Sequence, residues 1–265
     1  MAFIRANGIV LHHQVIGKPG APALVFSNSL GSDFRIWQEV APAFADRFRV
    51  VLYDKRGHGL SDAPPAPYTM DDHTDDLLAL LDRLGIGNAA LVGLSVGGMI
   101  AQRAAVRAPD RVTALVLCCT AAKIGTPQLW AERISAVERS GGIGPIAENV
   151  LERWFTPDFR EKRRDDLAGW RNMLVRIPAH GYAGTCAAIR DADLTADAGR
   201  IAAPTLCVAG DQDGSTPPDV VRSTASLVPG ARFELIDGCG HIPCVEKPAV
   251  LGRLIHNHLR ETGLV

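Results

Sequence analysis

Short apolar runs with almost no polar alternation constrain this chain more than any other feature. They are Ala23-Leu24-Val25-Phe26, Val50-Val51-Leu52-Tyr53, Ala89-Ala90-Leu91-Val92 and Val112 to Cys119. A strand with one face in water alternates apolar and polar residues. Unalternating runs of this length are strands covered on both faces, as in a parallel sheet. Thr205–Ala209 and Phe233–Ile236 are further strand candidates near the end. Helical spacing fills the gaps, including helices from about 218 to 227 and from 248 to 261. Strand–helix alternation predicts a doubly wound α/β sheet. Asn7-Gly8, between Phe3–Ala6 and Ile9–Ile16, predicts an opening hairpin with a two-residue turn.

Other elements follow from caps and stripes. Phe34, Trp37, Val40 and Phe44 give Asp33–Arg47 a helical face, with Pro42 kinking or interrupting it. Thr69 is placed to cap a helix through Leu84, with Asp71 and Asp72 in its first turn and Gly85 ending it. A helix from Val96 to Arg107 stops before Pro109. Residues 121–200 break the rhythm and read as helices only, from about 128 to 140, 145 to 155, and 161 to 190. The expected organisation is a core of residues 1–120 and 201–265 with an inserted helical lid, 121–200. Such an insertion would cover the strands' C-terminal edge, where open α/β sheets bind ligands.

Composition narrows the function classes. The 28 Lys plus Arg balance 29 Asp plus Glu, for a net charge of −1. No basic footprint for nucleic acid or anionic lipid is expected. No apolar leader opens the chain, and no uncharged apolar stretch approaches the roughly 18 residues that span a bilayer. The expected location is the cytoplasm. Cysteines 118, 119, 186, 207, 239 and 244 show no CxxC pair. Reduced, buried thiols are expected, without metal.

The chemistry concentrates in Gly93-Leu94-Ser95-Val96-Gly97, followed by Gly98, between a strand and a helix. G-x-S-x-G in that setting is a nucleophile elbow: a tight turn aims the serine hydroxyl off the sheet, and small neighbours let strand and helix close up. Ser95 is therefore the expected nucleophile. It needs a base, and eight histidines compete. His12 and His13 lie in the hairpin, His73 in a polar helix start where solvation is expected, and His256 and His258 on the last helix. The role of His180 stays open. His241, in the glycine-containing loop Asp237-Gly238-Cys239-Gly240-His241 after the last strand, is the expected general base.

An acid must fix the tautomer of that base, and the order Ser…Asp…His places it between residues 95 and 241. Asp211 and Asp213 both follow the strand Thr205–Ala209. Asp213 is preferred because one further step clears the sheet edge, leaving Asp211 as a turn residue. The backbone N–H groups of Val96 and of Leu30, in Ser27-Asn28-Ser29-Leu30-Gly31, are the expected oxyanion donors. No metal or organic cofactor is required.

The chain resembles the α/β-hydrolase superfamily over nearly its full length. Asp54-Lys55-Arg56-Gly57-His58-Gly59-Leu60-Ser61 matches its D-x-R-G-x-G-x-S loop, whose usual role is structural. Asn28-Ser29 stands where that superfamily usually has His-Gly. The chain is similar, more narrowly, to 3-oxoadipate enol-lactonases. That likeness is carried by Phe26–Gly31, Thr120–Pro127, Leu151-Glu152-Arg153-Trp154-Phe155-Thr156-Pro157 and Gly181–Leu194. It implies opening of a small enol-lactone acid on the β-ketoadipate route of aromatic catabolism. Such a substrate carries a carboxylate, and a planar guanidinium suits it. Arg133, bordering the apolar face of Trp130, Ile134 and Val137, is the expected contact, with Lys123 the weaker alternative and Trp154 as pocket wall. The rivals are another small-ester or carbon–carbon bond hydrolase of this fold, and a hydrolase-derived ligand receptor. Oligomeric state is not legible.

Overall fold

A computed structural model describes residues 1–264. Its eight strands are β1 (Ala2–Ala6), β2 (Ile9–Gly17), β3 (Ala23–Ser27), β4 (Arg49–Tyr53), β5 (Ala89–Leu94), β6 (Val112–Cys118), β7 (Thr205–Gly210) and β8 (Arg232–Ile236). They form one sheet in the order β1-β2-β4-β3-β5-β6-β7-β8. β1 and β2 pair antiparallel, as do β2 and β4, and every later pairing is parallel. Asn7 and Gly8 both take positive φ, 47° and 78°, which is the backbone that turns a two-residue hairpin. The runs of β3, β5 and β7 are covered on both faces, every residue being buried, whereas the edge strand β8 leaves Leu235 exposed.

Helices α1 (Met70–Arg83) and α2 (Val96–Arg107) fall between strands, as do α9 (Pro218–Leu227) and, after β8, α10 (Pro243–Glu246) and α11 (Pro248–Glu261). Thr69 caps α1 through a reciprocal pair: its Oγ1 accepts from the Asp72 N–H, while Asp72 accepts from the Thr69 N–H. Between β6 and β7 come only helices: α3 (Pro127–Ser140), α4 (Ala147–Trp154), α5 (Pro157–Lys162), α6 (Arg164–Val175), α7 (Ala179–Asp191) and α8 (Thr195–Ala198).

Two expectations are corrected. Asp33–Arg47, expected as a helix kinked or interrupted at Pro42, is interrupted, and what forms is not α-helix but two single 3₁₀ turns, Phe34–Trp37 and Ala41–Phe44. Asp33 caps the first, and Pro42 opens the second near its N-terminus, where a missing N–H costs nothing. The helix-like spacing was real, since Phe34, Trp37, Val40 and Phe44 are all buried, but successive turns satisfy it as well as a helix does. His73 is not solvated: it is 1% exposed, and its two ring nitrogens have no hydrogen-bond partner. It stands three residues after Met70 and four before Leu77, on the stripe α1 buries.

The order of the sheet places the site. From β3 the chain crosses to β4 on one side and later returns to β5 on the other. Ligands gather at such a reversal, because the loops leaving the two strands diverge and open a crevice. Ser27 at the end of β3 is in register with Gly93 of β5. The loop Ser27–Gly31 and the Ser95 turn therefore emerge side by side.

Candidate active site

Ser95 follows the last residue of β5 and precedes the first residue of α2, with φ 56° and ψ −119°. That is a strained conformation for a residue with a side chain. The neighbouring glycines make it feasible. A Cβ on Gly97 would strike the Ser27 carbonyl, one on Gly93 would strike Gly97 backbone, and one on Gly98 would strike the Thr120 side chain. The helix thus sits tight against β3, β5 and the end of β6. The Thr120 hydroxyl donates to the Ser95 carbonyl at 2.6 Å and fastens the turn.

His241 meets Asp213 across the ends of β8 and β7. Its Nδ1 lies 2.9 and 3.0 Å from the two carboxylate oxygens, and both side chains are buried. Nδ1 donating to the carboxylate leaves Nε2 free. Asp213 accepts further from the Ser215 and Thr216 N–H groups and from Thr216 Oγ1. Burial pushes its carboxyl up, but the charge and hydrogen bond of His241 and the Thr216 bonds outweigh this, and it stays below the ordinary range. Asp211 accepts from the Cys239 N–H at 2.9 Å, so it ties its own loop to the histidine loop. Thr216 went unsingled at the level of sequence, although an Asp followed three residues later by Thr is a recognisable turn signal.

Ser95 and His241 line one small cavity of about 50 Å³. Ser29 and Leu30 line it from the β3 loop, and Trp130, Arg133, Val150, Arg153, Trp154 and Tyr182 from the helices between β6 and β7. Ser95 Oγ makes no hydrogen bond among the described residues, and such contacts often tighten only around substrate. The Leu30 and Val96 N–H groups are likewise uncommitted, whereas the adjacent Gly31 N–H is taken by His58 Nε2 at 3.0 Å. Arg133 lies 5.1 Å over the Trp130 ring, and neither Arg133 nor Arg153 forms an ion pair among the described residues. Lys123, by contrast, is paired with Asp193 at 2.9 Å and does not line the cavity. Arg153 was not anticipated from the sequence. It follows Val150 by three positions, and Val150 shares the same cavity wall.

The last carbonyls of α4 hold the loops that carry Asp213 and His241. Trp154 O accepts the His241 N–H at 2.8 Å, and Arg153 O accepts the Gly214 N–H at 3.3 Å. Helix C-termini leave such carbonyls unpaired, and here two loops use them. Half-buried Glu246 bridges the same segment, accepting from Thr156 N–H at 3.0 Å and Gly240 N–H at 2.5 Å.

Cys119, Asp213 and His241 bring three ligand-type atoms within 4.8 Å of one another. They do not suit a metal. Burial and the Asp213 charge push the Cys119 thiol well above its ordinary range, and the carboxylate and Nδ1 are already spent on each other. A larger cavity of about 420 Å³, beside His12, Asp54 and Arg176, contains none of Ser95, Asp213 or His241.

A family model described as alpha/beta hydrolase fold matches residues 22–248. The chain belongs to that family. It is an enzyme, a carboxylic-ester hydrolase. Among curated proteins it is 36% identical to 3-oxoadipate enol-lactonase 2 of Acinetobacter baylyi, over 95% of this chain and 94% of that protein. It is also 36% identical to 3-oxoadipate enol-lactonase 1 of the same organism, over 91% and 90%. Among solved structures, an enol-lactonase from Burkholderia xenovorans superposes with a TM-score of 0.95 at 37% identity, covering 98% of this chain and all of that one. A thermophilic esterase from Thermogutta terrifontis gives 0.90 at 28% identity, covering 98% of each. No helix among the described residues is long and apolar enough to cross a membrane.

Proposed function

We propose that this hydrolase opens 3-oxoadipate enol-lactone to 3-oxoadipate, on the β-ketoadipate route, through an acyl-enzyme on Ser95. The observation that carries this reading is the cavity: it joins Ser95 and His241 to two arginines that no carboxylate among the described residues neutralises. A neutral ester gives no reason to keep an unpaired guanidinium there, while a lactone bearing a free acid does. The likeness to enol-lactonases over most of the chain points the same way.

His241 Nε2 takes the Ser95 proton as Oγ adds to the lactone carbonyl. The oxyanion is received by the N–H groups of Leu30 and Val96, and Asp213 steadies the imidazolium. Collapse breaks the acyl–oxygen bond of the ring, expelling an enolate that takes a proton and tautomerises to the ketone. Water, deprotonated by His241, then adds to the Ser95 ester and releases the second carboxylate. Arg133, half-buried beside Trp130, is the inner contact for the substrate carboxylate; exposed Arg153 stands at the mouth, and Trp154 forms part of the wall. Residues 121–200 act as a lid over the core formed by 1–120 and 201–265.

The deciding experiment is turnover of the enol-lactone, followed by loss of its ultraviolet absorbance. Ser95→Ala should abolish it while leaving the circular dichroism unchanged. Substantial residual activity in that variant would remove the covalent mechanism. Preference for neutral esters or vinylogous carbon–carbon substrates over the lactone would assign a different substrate to the same machinery.

A further inference from the structure

Beneath the Ser27–Gly31 loop lies a buried lysine that the reaction does not use. Lys55 is 1% exposed, and no carboxylate forms an ion pair with it among the described residues. Its Nζ, which carries N–H donors whether charged or neutral, donates instead to two backbone carbonyls, Ser29 O at 2.5 Å and Ser32 O at 3.3 Å. Those carbonyls flank Leu30, whose N–H is the proposed oxyanion donor. Burying an ammonium with only neutral acceptors is costly, and an apolar side chain of similar length would occupy the site without that cost. What the lysine brings that an apolar residue cannot is donors aimed at this loop.

A second side chain fixes the same loop from the same motif. His58 is fully buried, and its Nε2 accepts the Gly31 N–H at 3.0 Å while Nδ1 faces the Arg56 carbonyl at 3.2 Å. This requires a neutral ring protonated on Nδ1. Burial and the Lys55 charge hold the imidazole well below its ordinary range, so the lone pair on Nε2 is kept. Asp54 and Asp33 favour the charge on Lys55, while His73 and Arg56 add to the buried cluster. Asn28 closes the turn through its side-chain amide to the Ser32 carbonyl.

We propose that Lys55 and His58 are positioning residues for catalysis: they clamp the carbonyls and amide on either side of Leu30, leaving the Leu30 N–H aimed at the oxyanion. This assigns a catalytic purpose to a motif otherwise read as scaffold, and it rests on the acyl-enzyme reading above. A positioning role acts on the transition state and barely on ground-state binding. It is therefore separable from a purely structural one.

The test uses a neutral aryl acetate as reporter, so that it does not depend on the identity of the lactone, and a phenylboronic acid that adds to serine as a tetrahedral anion. Lys55→Met should lower kcat by about 10-fold or more, with KM changed less than about threefold, because a displaced oxyanion donor acts on the transition state. The inhibition constant of the boronic acid should rise in proportion to the loss in kcat. A folded Lys55→Met enzyme with unaltered kcat and boronic acid affinity overturns the proposal. Should that variant fail to fold, the His58 pair decides. His58→Gln keeps an acceptor for the Gly31 N–H and should retain most of the activity that His58→Leu loses; equal activity in the two overturns the proposal. Ester turnover persisting in Ser95→Ala would instead defeat the acyl-enzyme reading, whatever the Lys55 and His58 variants do.

Discussion

In the proposed reaction, Arg133 and Arg153 bear on specificity and not on the bond that breaks. Both reach the cavity and neither is ion-paired among the described residues, but Arg133 is half-buried and stacked on Trp130, whereas Arg153 is exposed. A hydrogen bond to a charged group strengthens as solvent is excluded, so the inner guanidinium should matter more. Arg133→Ala is expected to lower kcat/KM for the acidic lactone by about 10- to 100-fold, the loss of one charged hydrogen-bonded contact. A neutral aryl ester should lose less than about threefold, since it offers that guanidinium nothing to bind. Parallel losses on the two substrates would show that Arg133 supports the wall instead of reading a carboxylate. Ser95 and His241, which the structure brings to one cavity, were legible because the roles proposed for them impose a local pattern: the elbow needs glycines beside Ser95, and a base needs a loop after a strand. Lys55 and His58 were not. Their partners, Ser29 and Gly31, are 26 and 27 residues away, and no local pattern reveals a buried ammonium facing a loop carbonyl.

At the scale of elements, the central parallel strands were readable because burial on both faces removes polar residues from them. The turns around Phe34 and Phe44 were not, because the same four apolar positions serve a helix or successive 3₁₀ turns. The packing of α2 against the sheet carries a prediction. Gly97 touches Ser27 so closely that any Cβ must displace either α2 or the β3 end. Gly97→Ala should destabilise the protein by about 1–3 kcal/mol, the usual cost of overpacking. It should also cut kcat, since Ser95 and the Leu30 loop both ride on the displaced segments. Thr69→Ala makes a useful contrast. Losing that cap should cost about 1 kcal/mol in urea unfolding, with kcat unchanged, because α1 does not line the cavity. If Gly97→Ala unfolded no more readily than wild type, the close approach of helix and strand would not constrain the fold as argued.

Over the whole molecule, the proposed role of Lys55 sets activity against stability at one buried group. Burial brings Lys55 down to about 7, although Asp54 and Asp33 pull it the other way. The ordinary value is about 10.5, so between those limits the unfolded chain binds a proton that the folded protein has released. The contribution of this group to stability is therefore complete above pH 10.5 and is lost as pH falls toward 7, below which it changes no further. Its full span is on the order of several kcal/mol. Lys55→Met removes the linkage. The variant should resist urea better than wild type near pH 6, and that advantage should shrink steadily toward pH 9.5, while its kcat stays low throughout. Urea midpoints for the two proteins at pH 6, 8 and 9.5 measure it directly. A difference that did not vary with pH would mean that Lys55 titrates alike in the folded and unfolded chains, and that burying its charge beneath the Leu30 loop carries no cost.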